Sequence, residues 1–244
     1  MTVQPKKVLM VDHILQYHSA LIKLKELIDK GKLGKIQYLY SNRLNMGKLR
    51  TEENILWSFA PHDISAILML MGKAPNKVTS FGGEYVTKGI YDTTMTTLEF
   101  GNGVKGHIFV NWLHPFKEQK LVVVGTKAMA VFDDVSKDKL NIYPHKVEYS
   151  ESKVPIAKKA EHYPVKITSN EPLKEELKHF IDCIQNNKKP KTDGEEGLGV
   201  LKVLEQAEKS LKDSKNTKKK TDYYVHETSI VDDGVKVGKG SKIW

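Results

Sequence analysis

Between Lys77 and Tyr149 the chain is a succession of short β-prone runs with turn residues between them, and this restricts its fold more than any other feature. Thr93–Phe100 (TTMTTLEF) and Val104–Trp112 (VKGHIFVNW) flank Gly101-Asn102-Gly103, and Leu121–Val124, Ala130–Asp133 and Leu140–Tyr143 follow at short spacing. Strands joined this closely form a meander, because parallel neighbours need a long crossover. A mostly antiparallel sheet is expected.

Helical signals bracket the meander. Ser19–Asp29 places Leu21, Leu24 and Ile28 on one face and stops at Gly31 and Gly34. Ile36–Asn42 reads as a strand, Arg43–Asn54 as a polar loop, and Pro61 as the opening turn of a helix ending near Met71 and Gly72. After the sheet, Ser150–Ser169 reads as loop. A helix opening at Pro172 carries the apolar stripe Leu173, Leu177, Phe180, Ile181 and Ile184. Asp193-Gly-Glu-Glu196 then starts a helix through Leu201, Leu204 and Leu211. Lys7–Val11 reads as a short buried strand. The expected class is α+β: an open, mostly antiparallel sheet with helices on one face.

Composition narrows the function. The 244 residues are 39% hydrophobic and 28% charged, which suits a globular core and excludes a disordered chain. No apolar run approaches a membrane span, and the short run after Lys6-Lys7 is no secretory signal, so a cytoplasmic location is expected. The net charge of +9 gathers in Lys188–Lys191 and Lys212–Lys220 without interleaved aromatics, so nucleic acid is not the expected partner. Cys183, the sole cysteine, reads as a small buried hydrophobe.

Gly101-x-Gly103-x-x-Gly106 has the spacing of a dinucleotide fingerprint, but a strand follows it where a helix is required, so it reads as a hairpin turn. No H-E-x-x-H pair suggests a metal, and no G-x-S-x-G elbow suggests a serine hydrolase. His62 in NILWSFAPHDIS is the strongest chemical candidate. With Ile64, Ile67, Leu68 and Met71 facing the core, His62 points away from it, and an imidazole titrates in the range that proton transfer to a sugar hydroxyl requires. Tyr17, His18, Asn42, Arg43, Asn45, Arg50 and Asp63 are the expected substrate contacts, being side chains that bind hydroxyls and phosphates.

The ordered segments VLMVDHILQYH, LGKIQYLYSNR and NILWSFAPHDIS, the meander, and EPLKEELKHFIDCIQNNKKPKTDGEEGLGVLKVLEQAEKSL together resemble the C-terminal half of the Gfo/Idh/MocA oxidoreductases, over about residues 6–212. The nearest resemblance is to members that oxidise the 3-position of UDP-N-acetylglucosamine-type sugars. It implies a catalytic role for His62, a nucleotide-sugar substrate, association of copies through the sheet, and NAD or NADP as cofactor. Members often have an aspartate four residues before the histidine, where this chain has Ser58. The family's Rossmann glycines and E-K-P lysine have no counterpart here. The expectation is therefore a substrate domain that needs a separately encoded Rossmann partner, or alternatively a non-catalytic oligomerisation or sugar-binding module.

In the tail Val231, Val237 and Ile243 recur every six residues, with Gly238 and Gly240 between them, which resembles the opening of a left-handed β-helix acyltransferase. The expected organisation is a remnant of the last Rossmann strand at 1–12, the substrate domain at 13–211, a Lys-rich linker at 212–222 and a truncated hexapeptide stub at 223–244.

Overall fold

The computed structural model describes residues 7–101, 103–168, 170–216, 223–226, 228–232 and 234–244. It divides into two compact units, Met1–Leu211 and Lys212–Trp244. Among the described residues the first unit holds four helices: α1 (Ser19–Asp29), α2 (Ile55–Met71), α3 (Pro172–Gln185) and α4 (Gly194–Asn216), the last running past the unit boundary. A 3-10 turn, Ile14–Tyr17, precedes α1.

The strands are β1 (Ile36–Leu44), β2 (Lys77–Gly83), β3 (Thr93–Glu99), β4 (Lys105–Asn111), β5 (Glu118–Gly125), β6 (Met129–Asp133), β7 (Leu140–Tyr143), β8 (Lys146–Tyr149), β9 (Pro155–Lys158) and β10 (Tyr163–Pro164). Eight of them form one sheet in the order β10-β7-β6-β5-β1-β4-β3-β2. Its one parallel pairing among the described residues joins β1 to β4, and β1 also pairs antiparallel with β5. The meander accounts for the antiparallel majority, and the excursion through α2, β2 and β3 lets β4 return beside β1 in parallel.

Alternation along each strand sends one set of side chains into the core. Leu39 and Ser41 of β1, Thr94, Thr96 and Leu98 of β3, and Ile108 and Val110 of β4 are buried. Leu39, Leu98, Ile108 and Val110 join Ile55, Leu56, Ala60, Ile64 and Ile67 of α2, Leu21 and Leu24 of α1, and Val200, Val203, Leu204 and Ala207 of α4 in a single cluster. The sheet's other face is half-buried at Tyr38, Tyr40, His107 and Phe109.

Four expectations need correction. Lys7–Val11 is neither a strand nor buried; Val11 N–H reaches Thr192 O at 2.7 Å, but no ladder forms. α2 begins at Ile55, six residues before Pro61, because the Asn54 side chain accepts from Leu56 N–H at 3.0 Å and Trp57 N–H at 3.3 Å and so caps the helix. Pro61 lies inside it and leaves the Trp57 carbonyl without its usual donor. Ser150–Ser169 is not wholly loop: β9 pairs with β8 as a fully exposed hairpin, and β10 edges the main sheet. The α3 stripe faces outward, with Leu173, Leu177, Ile181 and Ile184 each more than half exposed, and Leu201 of α4 is also exposed.

What α3 turns inward is Glu176 and Cys183. The Glu176 carboxyl faces another carboxyl, Asp12, with the backbone N–H of His13 as the one group pulling the other way. Burial, then this second acid, push Glu176 up to about 8 from 4.5.

In the second unit β11 (Tyr224–Val225) and β12 (Lys242–Ile243) pair in parallel. Residues 1–6 and 217–222, where part of the expected strand remnant and linker fall, lie outside the described residues, as does Asn102 of the β3–β4 turn.

Glu176 generates a pH dependence with a defined sign. Its folded pKa lies above its unfolded one, so between about 4.5 and about 8 the unfolded chain releases a proton that the folded chain keeps, and this group's contribution falls as pH rises through that window. Urea unfolding at pH 5 and pH 8 tests this. Glu176→Gln is expected to lose less stability than the wild type between the two, and equal losses would remove Glu176 as the cause.

Candidate active site

The site is built where the C-terminal end of β1 meets the second turn of α2. Asp63 follows the spacing of Ala60, Ile64 and Ile67, so it lies on the buried side of α2 and is itself 3% exposed. A lone buried carboxylate is strongly unfavourable, and here β1 answers it. Arg43 Nε donates to Asp63 Oδ2 at 2.6 Å, and the Ser41 hydroxyl donates to Oδ1 at 2.5 Å. Ser41 and Arg43 can both reach it because they are two residues apart on one strand. The Arg43 guanidinium is also held charged by Asp134.

His62, one residue before Asp63, is half-buried on a different side of the helix. Burial, then the Arg43 charge, push its pKa below the ordinary imidazole value, against the pull of Asp63. The ring is therefore neutral at pH 7. Its Nδ1 is buried and has no hydrogen-bond partner among the described residues. The same holds for Ser58 Oγ, one turn earlier on α2. Two unsatisfied polar atoms on consecutive turns of one helix face form a surface that a hydroxyl-bearing ligand would complete.

Residues not singled out from the sequence close the other side. His13 Nδ1 lies 2.5 Å from Glu196 Oε2, while Glu196 Oε1 accepts from Gln16 Nε2 at 2.7 Å and from Ser65 Oγ at 2.8 Å. Glu196 is fixed in turn at the start of α4, where Asp193 Oδ1 accepts from the Glu195 and Glu196 N–H groups at 2.9 Å each. The charges of His13 and Asp12 both act on His62. The periodicity of α4 signalled its capped start, but a contact spanning 183 positions left no local trace.

The structure gathers His62, Asp63 and Arg43, keeps His18 in reach of Arg43 through Asp134, and places the other expected contacts elsewhere. His18 caps α1, its Nδ1 accepting from Ala20 N–H at 3.1 Å, and its other nitrogen meets Asp134 at 3.4 Å. Tyr17 is buried with its hydroxyl 3.1 Å from Thr192 Oγ1, and Lys191 Nζ stands 5.4 Å from the ring centroid. Asn42 projects to the opposite sheet face from Arg43, where its Nδ2 donates to Glu118 Oε1 at 2.6 Å. Asn45 continues past β1, and its N–H bonds Asn111 O at 3.1 Å. Arg50 is an exposed loop residue paired with Glu53 at 2.8 Å. Tyr17 and Asn42 are committed to packing and structural hydrogen bonds, which is why the structure does not group them with His62, while His18 connects to Arg43 only through the acid they share, Asp134.

The Gly101-x-Gly103-x-x-Gly106 run is not a dinucleotide loop. Gly106 lies within β4, where an added Cβ would meet Leu39 O at 3.0 Å, so this glycine serves close strand packing. A cavity of about 510 Å³ lies between the β8–β9 hairpin and the β5–β6 turn, lined by Lys146, Lys158, Lys159 and Tyr149. It is not lined by His62 and belongs to a different region of the unit.

Comparison with known proteins adds the following. Residues 21–131 match the family model of the GFO/IDH/MocA C-terminal domain. The chain is 25% identical over 200 residues to the uncharacterized oxidoreductase YrbE of Bacillus subtilis (strain 168), covering 78% of this chain and 56% of that protein. Its fold matches UDP-N-acetylglucosamine 3-dehydrogenase GnnA from Acidithiobacillus ferrooxidans with a TM-score of 0.69 at 21% identity, over 84% of this chain and 63% of that one. It also matches a levoglucosan dehydrogenase solved with NADH and levoglucosan, with a TM-score of 0.67 at 17% identity, over 84% of this chain and 64% of that one. The chain thus spans less than two thirds of the length of these relatives.

The electrostatics of His62 can be read by NMR titration of the imidazole. Its midpoint is expected below the ordinary 6.5, rising when Arg43→Gln removes the neighbouring charge. A midpoint at or above 6.5 in the wild type, or one insensitive to Arg43, would contradict this arrangement.

Proposed function

We propose that this chain is the substrate domain of a Gfo/Idh/MocA-type oxidoreductase that acts on a nucleotide sugar of the UDP-N-acetylglucosamine kind at its 3-position. The observation that carries the reading is the half-buried side of α2, where the neutral imidazole of His62 lies one turn from the Ser58 hydroxyl, each with a buried atom lacking a partner among the described residues. An imidazole kept neutral at working pH is a proton acceptor for a sugar hydroxyl. Asp63 supports this site indirectly, holding Arg43, while Arg43 keeps its charge close to His62.

NAD or NADP, taking the hydride, would be carried on a nucleotide-binding domain outside the described residues, in the same or a separate chain. The relatives' extra length and the NADH of the levoglucosan enzyme support that division.

A second reading, a non-catalytic module that associates through its sheet, draws on a separate observation. The helix-free face carries Tyr38, Tyr40, Phe109, Met95 and Val131 across neighbouring strands. Eight strands at roughly 4.8 Å spacing make a surface roughly 35 Å wide, on the scale of a stable interface. Homo-oligomerisation there is compatible with either reading. In the second unit Val225, Val231, Val237 and Ile243 are half-buried at six-residue steps, and the parallel β11–β12 pairing supports reading it as one coil of a hexapeptide β-helix.

The test supplies the chain with the part of the Bacillus relative that it does not cover and follows UDP-N-acetylglucosamine oxidation through the absorbance of reduced nicotinamide. His62→Ala is expected to lower turnover by about 10²–10⁴-fold. Equal turnover would remove His62 from the chemistry. Failure of the chain to bind UDP-N-acetylglucosamine in a calorimetric titration would remove the nucleotide sugar.

A further inference from the structure

Oxidising a hydroxyl to a carbonyl releases a hydride, which goes to a nicotinamide, and a proton, which the protein must hold. His62 accepts that proton under opposition, because burial and the Arg43 charge outweigh the pull of Asp63 and Asp12, and no carboxylate bonds its buried Nδ1 among the described residues. The imidazole that does have a carboxylate behind it is His13. Its Nδ1 lies 2.5 Å from Glu196 Oε2, and the Glu196 carboxylate is locked from its other oxygen by Gln16 and Ser65. With Nδ1–H donated to Glu196, Nε2 is left as the acceptor, and a proton arriving there makes an imidazolium facing an anion. His18 also meets a carboxylate, Asp134, but its Nδ1 is spent on capping α1.

Position agrees with chemistry. Ser65, which bonds Glu196, lies three residues after His62 on α2, so the two side chains neighbour one another along that helix. His13 is close enough that its charge acts on His62, and the exposed Asp12 beside it acts on the same ring. The groups facing this region are Asp12, His13, Arg43, Asp63 and Glu196.

We propose that His13, oriented by Glu196, is a second working imidazole of this site, an acceptor for the proton that the sugar hydroxyl gives up. The proposal rests on the oxidoreductase reading for its substrate, but the state of the His13 ring can be tested without it.

Diethyl pyrocarbonate acylates an imidazole at a free, unprotonated ring nitrogen, and peptide mass spectrometry of the folded chain reports each histidine separately. His13 is expected to react although its side chain is only 6% exposed, with the exposed His162 as internal reference. Glu196→Gln is expected to slow His13 by about tenfold while leaving His162 unchanged. A purely structural histidine behaves oppositely: it is protected in the wild type and reacts faster once Glu196→Gln loosens its packing. Either of those results overturns the proposal, and the wild-type measurement decides even if the variant folds poorly. Repeating the reaction with UDP-N-acetylglucosamine separates the two claims. Protection of both His13 and His62 supports both. A reactive but unprotected His13 supports its free nitrogen and removes the nucleotide-sugar reading. An unreactive His13 with a protected His62 removes His13 and leaves that reading standing.

Discussion

The Arg43–Asp63 pair fixes the relation between β1 and α2 on which the candidate site depends. α2 is apolar on most of its circumference, so hydrophobic burial alone sets its rotation weakly. A buried carboxylate at Asp63 removes that freedom, because it must find Arg43 and Ser41 on the strand beneath. Once Asp63 points to β1, His62 is turned by the helical step toward the rim. The pair therefore sets both the direction and the charge state of the imidazole.

Around this pivot the domain leaves several polar groups unsettled where a stability-driven core would not. Ser58 and His62 each present a buried atom without a partner, and Asp12 and Glu176 set two carboxyls side by side. Local conflicts of this kind concentrate at functional sites, where the remaining structure holds them in place. The uncovered stripe of α3 lies beside the same region, since Leu173 and Leu177 line a cavity of about 180 Å³ with Asp12 and Glu176. An open site bordered by apolar surface is consistent with a reaction partner arriving from outside these residues.

The sequence was most legible where periodicity is local. α1 has the expected limits, and the β3–β7 meander follows from β-branched runs and turn glycines. The misreadings have physical causes. Pro61 resembles a helix-opening proline, yet Asn54 starts the helix earlier, and a polar residue at a loop end is easily overlooked as a cap. The outward stripe of α3 has the same spacing as a core stripe, because periodicity reports that a face is apolar and not what covers it. At the site, the placement of His62 away from the core followed from helical spacing. Asn42 and Arg43 were grouped as neighbours, although β1 continues through both and adjacent strand residues project to opposite faces. The His13–Glu196 contact had no local signal, since its partners meet only in the folded chain.

A double-mutant cycle on Arg43 and Asp63, with stability read by urea unfolding, tests the pivot most directly. Arg43→Met and Asp63→Leu each leave a buried charge alone and are predicted to cost about 3–5 kcal/mol. The double variant, which removes both charges together, is predicted to cost far less than the sum. Additive losses would show that the two side chains do not depend on one another, and would contradict the account of how β1 and α2 set His62.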